Sequence, residues 1–191
     1  MVGSELPTPS TEPRVADDHV TLTVRDLSVL DGSGRPTLDQ VSLDVQRGEI
    51  VGVAGVEGNG QGELIEAILG LRQTSGGQLL LDGEDIGHWP VRRRREAGIG
   101  YVPEDRHRRG LLLDAPLWEN AMLGHQTMTP FARGPFLDRS GARSATTRIV
   151  EHFDVRTPGI DTSARALSGG NQQKLVIGRE MAASPCLLVA A

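Results

Sequence analysis

Cysteine is nearly missing from this chain: Cys186 stands alone among 191 residues, so no internal disulfide can form. Its apolar neighbours, Leu187 to Ala190, predict a buried packing thiol. Aromatic residues are also scarce, at 3%, so the core must be aliphatic. No apolar run approaches the ~18 residues that a membrane span needs, and residues 1–18 lack the apolar centre of a secretory leader. A surplus of positive charge is missing too. The net charge is −5, which argues against a global basic field that draws a domain to nucleic acid or anionic lipid. Glycine is what abounds, with 24 residues, and many of these must serve loops. A chain of this length makes one domain that buries roughly 70% of its unfolded surface, and the composition fits a cytosolic one.

Residues 1–19 are rich in Pro, Ser, Thr and Asp without apolar periodicity, and read as a flexible linker before a domain over 20–191. Val20-Thr21-Leu22-Thr23-Val24 and Val41-Ser42-Leu43-Asp44-Val45 alternate as half-buried strands of an antiparallel layer, with a turn over 31–36 between them. The apolar run 49–54 predicts a buried strand of a parallel sheet, and Leu64, Ile65, Ile68 and Leu69 follow at helical spacing. Further strands are expected at 78–81, 99–102 and 186–190. Helices are expected after Pro90, through much of 115–155 around a loop at 130–135, and over 171–183. Strands alternating with helices imply an α/β fold with a helical insert at about 105–155.

Gly55-Val56-Glu57-Gly58-Asn59-Gly60-Gln61-Gly62 joins an expected strand to an expected helix. The frame Gly-x-x-x-x-Gly is that of a P-loop, whose backbone N–H groups at a helix N-terminus cradle phosphates. Lys and Ser/Thr should come next, the first to carry charge to the terminal phosphates and the second to bind Mg²⁺. Gln61 offers a hydrogen bond without charge, and Gly62 offers no ligand. A charge-assisted hydrogen bond is worth ~1.5–3 kcal/mol, so weak binding can survive while phosphoryl-transfer chemistry cannot. The plainer reading is a tight strand-to-helix turn that binds nothing. A dinucleotide fingerprint is excluded, because Glu63 stands where its third glycine should be.

A second glycine motif lies downstream. Leu167-Ser168-Gly169-Gly170-Asn171-Gln172-Gln173-Lys174 opens a helix with free N–H groups and a hydroxyl at its positive end. It follows the P-loop frame and the helical insert and precedes an apolar strand. This arrangement resembles ATP-binding-cassette (ABC) ATPases, whose signature reads Leu-Ser-Gly-Gly-Gln; here Asn171 takes the fifth place. The resemblance covers 20–191 and includes Gly48-Glu49, residues 101–106 and Trp118-Glu119-Asn120. The 55–61 loop, Val102-Pro103-Glu104-Asp105-Arg106 and Ser168 to Lys174 are more closely similar to the second cassette of tandem-cassette importers for simple sugars and nucleosides. Met1 to Leu6 resembles the end of a first cassette. The resemblance therefore implies a P-loop NTPase fold with a RecA-like parallel sheet, an antiparallel β layer and a helical subdomain, incomplete at both ends relative to the full protein.

The resemblance also implies a set of roles and partners. ATP with Mg²⁺ is the family's cofactor, and Gly62 leaves the Mg²⁺ without its usual hydroxyl ligand. Gly55, Gly58, Asn59, Gly60, Gln61 and Gly62 form the phosphate frame. Ser168, Gly169, Gly170 and Asn171 close in trans over nucleotide held by a partner cassette. Glu104 occupies the Q-loop position, either as an oxygen ligand or relay to the membrane subunit, or as a solvated carboxylate paired with Arg106. Permease subunits, a periplasmic or lipid-anchored substrate-binding protein, and a place on the inner face of the membrane follow from the same likeness. Departures are equally specific. Residues 27–36 hold no aromatic to stack on adenine, and Ala191 falls where the Walker B aspartate should be. The catalytic glutamate, D-loop and switch histidine would lie beyond Ala191, so no general base is identified and the isolated chain is expected to be inactive. Arginines at 92–95 and 106–109 read as a solvated helix face and a polar loop rather than a nucleic-acid surface. Trp118 reads as core. Two functions remain open: an importer cassette that acts mainly in trans, and an inert gene fragment with exposed sheet edges.

Overall fold

A computed structural model describes residues 18–56 and 58–191. The expected linker at 1–19 and the segment Met1 to Leu6 lie almost wholly outside the described residues. Two long strands begin the fold, β1 (Val20–Leu30) and β2 (Pro36–Gln46), paired antiparallel. Both run well beyond their alternating pentads because a bulge shifts the phase. Asp26 adopts φ 45° and Gln40 φ 49°, and the register slips between Val24 and Leu27. One extra residue changes which parity faces inward, so Leu22 and Val24 are followed on the buried face by Leu27 and Val29. Next come β3 (Gly76–Leu81), which pairs antiparallel with the other side of β1, and the two-residue β4 (Glu84–Asp85). Gly77 enters β3 at φ 85° so close to the Asp26 and Arg25 carbonyls that a Cβ would collide with backbone.

Helix α1 (Gln61–Leu69) lays Leu64, Ala67, Ile68 and Leu69 against this sheet in a core that also takes in Ile86, Ile99 and Leu187. Gly70 ends the helix in the left-handed conformation. Pro90 precedes the short helix α2 (Val91–Glu96), as its missing N–H allows. Here the solvated-face expectation fails for two of its arginines. Arg94 is buried, and its guanidinium donates to the Ala67 and Ile68 carbonyls at 2.6 and 2.8 Å, satisfying the C-terminal end of α1. Arg95 turns inward to Glu180. Arg93 stacks over Trp89, 3.8 Å from the ring centroid.

Strand β5 (Ile99–Val102) pairs in parallel with β8 (Leu187–Ala190), the last element of the chain. Between them lie a π-helical turn (Arg106–Gly110), α3 (Leu117–Ala121), the hairpin β6 (Ala132–Arg133) and β7 (Phe136–Leu137), α4 (Arg139–His152) and α5 (Gly169–Ala182). The hairpin stands where a plain loop was expected. Leu117, Ala121, Ile149, Leu175 and Val176 form the core of this half. Gly178 lets α5 approach α4, because a Cβ there would meet Ile149 and Phe153. Trp118 is half-buried, on a satellite cluster of Phe131, Ala142 and Ala145.

Two further expectations are overturned. Residues 49–54 form no strand, and Ile50 is 96% exposed. A buried parallel strand takes its geometry from ladder partners, and among the described residues none pairs with this run. Cys186 is exposed rather than buried; its Sγ sits 3.3 Å from the Ala97 carbonyl at the mouth of β8. The packed backbone on one side of the thiol still desolvates it enough to push its pKa up, and the Asp82 charge adds to this.

Candidate nucleotide-site segments

The 55–62 loop turns from β2's exit segment into α1. Gly60 is the residue before the helix, in the left-handed conformation at φ 96°. A Cβ there would meet the Thr37 carbonyl at 2.7 Å, so the close approach of β2 and the backbone conformation both require glycine. Gly58 is also left-handed, at φ 88°, and both it and Gly62 face open space. The side chain of Gln61 folds back over the loop. Its Nε2 donates to the Val56 carbonyl at 3.1 Å, and its Oε1 accepts from the Asn59 N–H at 3.2 Å.

The second segment is held differently. Ser168 precedes α5 in extended conformation, and Ser168, Gly169 and Gly170 are all exposed. The Ser168 hydroxyl accepts from Asn171 Nδ2 at 3.0 Å and makes no cap bond to the helix N–H groups, which leaves those donors free. Asn171 Oδ1 accepts from the Arg156 N–H at 2.9 Å. One turn in, buried Gln172 accepts from Arg106 Nε at 3.2 Å and lies 2.8 Å from His107 Nε2, while its own Nε2 donates to the Ala164 carbonyl at 3.1 Å. The Arg106 guanidinium lies so close over Gly169 that a Cβ there would come within 2.9 Å of it.

Glu104 is exposed between β5 and the π-helical turn. Its expected pairing with Arg106 is not formed, because Arg106 is committed to Gln172. Asp105 starts the turn, accepting from the His107 and Arg108 N–H groups. Among the described residues no hydrogen bond or ion pair joins the 55–62 loop to the 168–171 segment.

Towards the other end of α5 lies a buried ionic cluster that single residues in the sequence do not announce. Glu180 is 1% exposed, accepts from Arg95 at 2.7 Å and from Arg179 at 2.9 Å, and receives the Tyr101 N–H at 3.2 Å. Burial alone would raise its pKa; the two guanidiniums and that N–H outweigh it and hold the carboxyl below its ordinary range. Arg179 also donates to the Gly110 and Asn120 carbonyls. Buried His125 lies 3.1 Å from Arg95, and burial with the adjacent Arg95 charge lowers its pKa to about 4. Asn120, fully buried, accepts from the Leu112 N–H and donates to the Leu112 carbonyl, which pins the segment before α3. The signal available was Arg179-Glu180 set into the apolar second half of α5.

The Gln61 carboxamide lies across the glycine frame, bonded to Val56 and Asn59. Gly62 supplies no hydroxyl for Mg²⁺, and among the described residues no group of three or more His, Cys, Asp or Glu side chains could hold a metal. The residues present therefore do not fit the expected Mg²⁺ site.

Residues 38–190 match the family model described as ABC transporter. The chain belongs to the ABC transporter family. Its cassette fold recurs in solved ATP-binding cassettes: a nucleotide-free one from an ABC transporter (TM-score 0.72, 22% identity, 90% of this chain and 68% of that one) and the ADP conformation of MJ1267 (TM-score 0.70, 21% identity, 88% and 67%). At that identity the likeness is one of fold. Among curated relatives, the guanosine import ATP-binding protein NupO of Bacillus subtilis is 45% identical across 100% of this chain and 38% of its own length. The nucleoside import ATP-binding protein NupA of Lactococcus lactis is 41% identical (99% and 37%), and the glucose import ATP-binding protein TsgD13 of Haloferax volcanii is 42% identical (100% and 35%). This cassette thus spans little more than a third of the length of those relatives. Among its described residues no helix is long and apolar enough to cross a membrane.

Proposed function

We propose that the chain is part of the ATP-binding subunit of an importer for nucleosides or simple sugars, a degenerate cassette whose signature segment completes a nucleotide site on a partner cassette. One observation carries this reading. Ser168, Gly169 and Gly170 present exposed, uncapped donors at the start of a 14-residue helix, and the chain's own loop does not bond to them. Such an N-terminus favours an anion, and a separate cassette can bring one. The likeness to import ATP-binding proteins at 41–45% identity supports the cargo class. In this reading the 55–62 frame holds ATP weakly, and the missing charge at Gln61 and missing ligand at Gly62 preclude turnover there. Permease subunits and a substrate-binding protein complete the assembly on the inner face of the membrane.

The test is Ser168→Arg with Gly169→Asp, introduced into the chain assembled with its partner cassette. Arg bulk and Asp charge would face the γ-phosphate, and hydrolysis at the partner's site should fall at least about a hundredfold, as when oxyanion donors are lost. If the double change instead abolishes nucleotide binding by the isolated, folded chain, the signature acts in cis and the trans reading is wrong. The exposed apolar run around Ile50, Val53 and Val56 favours the second reading, an inert remnant. A folded chain that neither binds nucleotide nor associates with a partner cassette would establish that one.

A further inference from the structure

We infer that the 55–62 loop is a self-occluded phosphate site, in which the Gln61 carboxamide stands in for a ligand and sets what the loop admits; this rests on the reading of the loop as a phosphate cradle. The amide is matched to the loop in both directions. Its oxygen accepts the Asn59 N–H at 3.2 Å, a donor shared with the Val56 carbonyl, as a phosphate oxygen would, and its nitrogen donates to the Val56 carbonyl at 3.1 Å. It also packs onto the first glycine of the frame, where a Cβ on Gly55 would overlap Gln61 Nε2. The missing side chain at Gly55 thus makes room for the plug. A carboxamide can do this and an ammonium cannot, because only the amide carries an acceptor for Asn59. A phosphate must displace both bonds before it gains the loop's donors, and the neutral side chain it displaces returns no charge to it. Beyond the plug the cradle is open, since nothing lies within 4 Å of where a Cβ would stand at Gly58 or Gly62.

The distinguishing experiment is Gln61→Ala in the full chain, with binding of inorganic pyrophosphate and of ADP measured by calorimetry without Mg²⁺. Removing a weak ligand would loosen binding; removing a plug should tighten it, by roughly two- to tenfold, the worth of one net neutral hydrogen bond. Alanine is a good helix former at this first position of α1, so the fold should persist. Gly55→Ala should expel the Gln61 side chain and give a similar gain, and the double variant should gain no more than either single one; full additivity would overturn the proposal. In the unliganded chain, amide exchange at Asn59 should accelerate in Gln61→Ala. Binding that is unchanged or weaker in Gln61→Ala overturns the occlusion. If Gln61→Lys with Gly62→Ser still tightens MgATP, the cradle reading survives that outcome. If no variant binds in a folded chain, the cradle reading fails and the occlusion with it.

Discussion

At the N-terminus of α1 the described hydrogen bonds that shape the loop run within the loop itself, from Asn59 to Val56 and through Gln61 to both. At the N-terminus of α5 one bond is local, Asn171 to Ser168, and the others come from elsewhere: Arg106 and His107 from the π-helical turn, Ala164 from the preceding segment, and Arg156 from the stretch after α4. The first segment is therefore anchored mainly by one close backbone approach, Gly60 to Thr37. The second is braced on several sides, and the Arg95–Glu180–Arg179 cluster holds the other end of the same helix. A braced helix end can be offered ready-made to a ligand carried by another molecule. A loop closed on its own side chain must be opened by its ligand.

The contrast breaks most severely at Glu180. Glu180→Ala leaves two guanidiniums without their carboxylate, one of them deeply buried, and should cost about 3–5 kcal/mol in urea unfolding. A loss under about 1 kcal/mol would show that the cluster does not brace α5. Acid attacks the same place. The unfolded imidazole of His125 titrates near 6.5 and the folded one at about 4, so the unfolded chain binds the extra proton. Stability from this group is fully present above pH 6.5 and drains as pH falls through 4, by on the order of 3 kcal/mol in all. Glu180, with its pKa lowered, loses its share in the same direction, below the ordinary carboxylate range. His125→Gln, which keeps an acceptor for Arg95 but does not titrate, should flatten the upper part of that window in denaturation curves. Gln172→Ala removes the contacts of Arg106, His107 and Ala164 and should cost about 1–3 kcal/mol, with larger losses in partner-stimulated hydrolysis. The smallest effect is expected at the loop. Gly62 faces open space, so Gly62→Ser should change the unfolding free energy by no more than about 0.5 kcal/mol; a larger loss would mean that the loop is not open there.

Much of the fold was legible because local pattern and tertiary need agree. Alternation marked β1 and β2, and Ser-Gly-Gly marked the start of α5. The Asp26 bulge hid the second half of β1, since one residue out of phase reads as the end of a strand. The run 49–54 misled because apolar composition signals burial only where a partner exists. The arginine run misled in a parallel way: Arg94 and Arg95 are committed to carbonyls of α1 and to Glu180, and the Arg95 partner lies 85 positions away. Both glycine frames stood out, since turns and phosphate cradles demand glycine. The inward fold of Gln61 and the linkage of Arg106 to Gln172 did not, because side-chain direction and long-range pairing leave no periodic trace.

Arg94 gives α1 a mechanical character. Its guanidinium grips the last carbonyls of that helix from a neighbouring element, so the far end is clamped by hydrogen bonds while the glycine end is seated by packing of Gly60 on Thr37 and Leu38. Nine residues at a rise of about 1.5 Å make a lever roughly 13 Å long. A tilt of about 5° about the gripped end would carry the loop through roughly 1 Å, a displacement comparable with the slack in a hydrogen bond. Small rotations at the pivot thus become opening or closing strokes at the glycines.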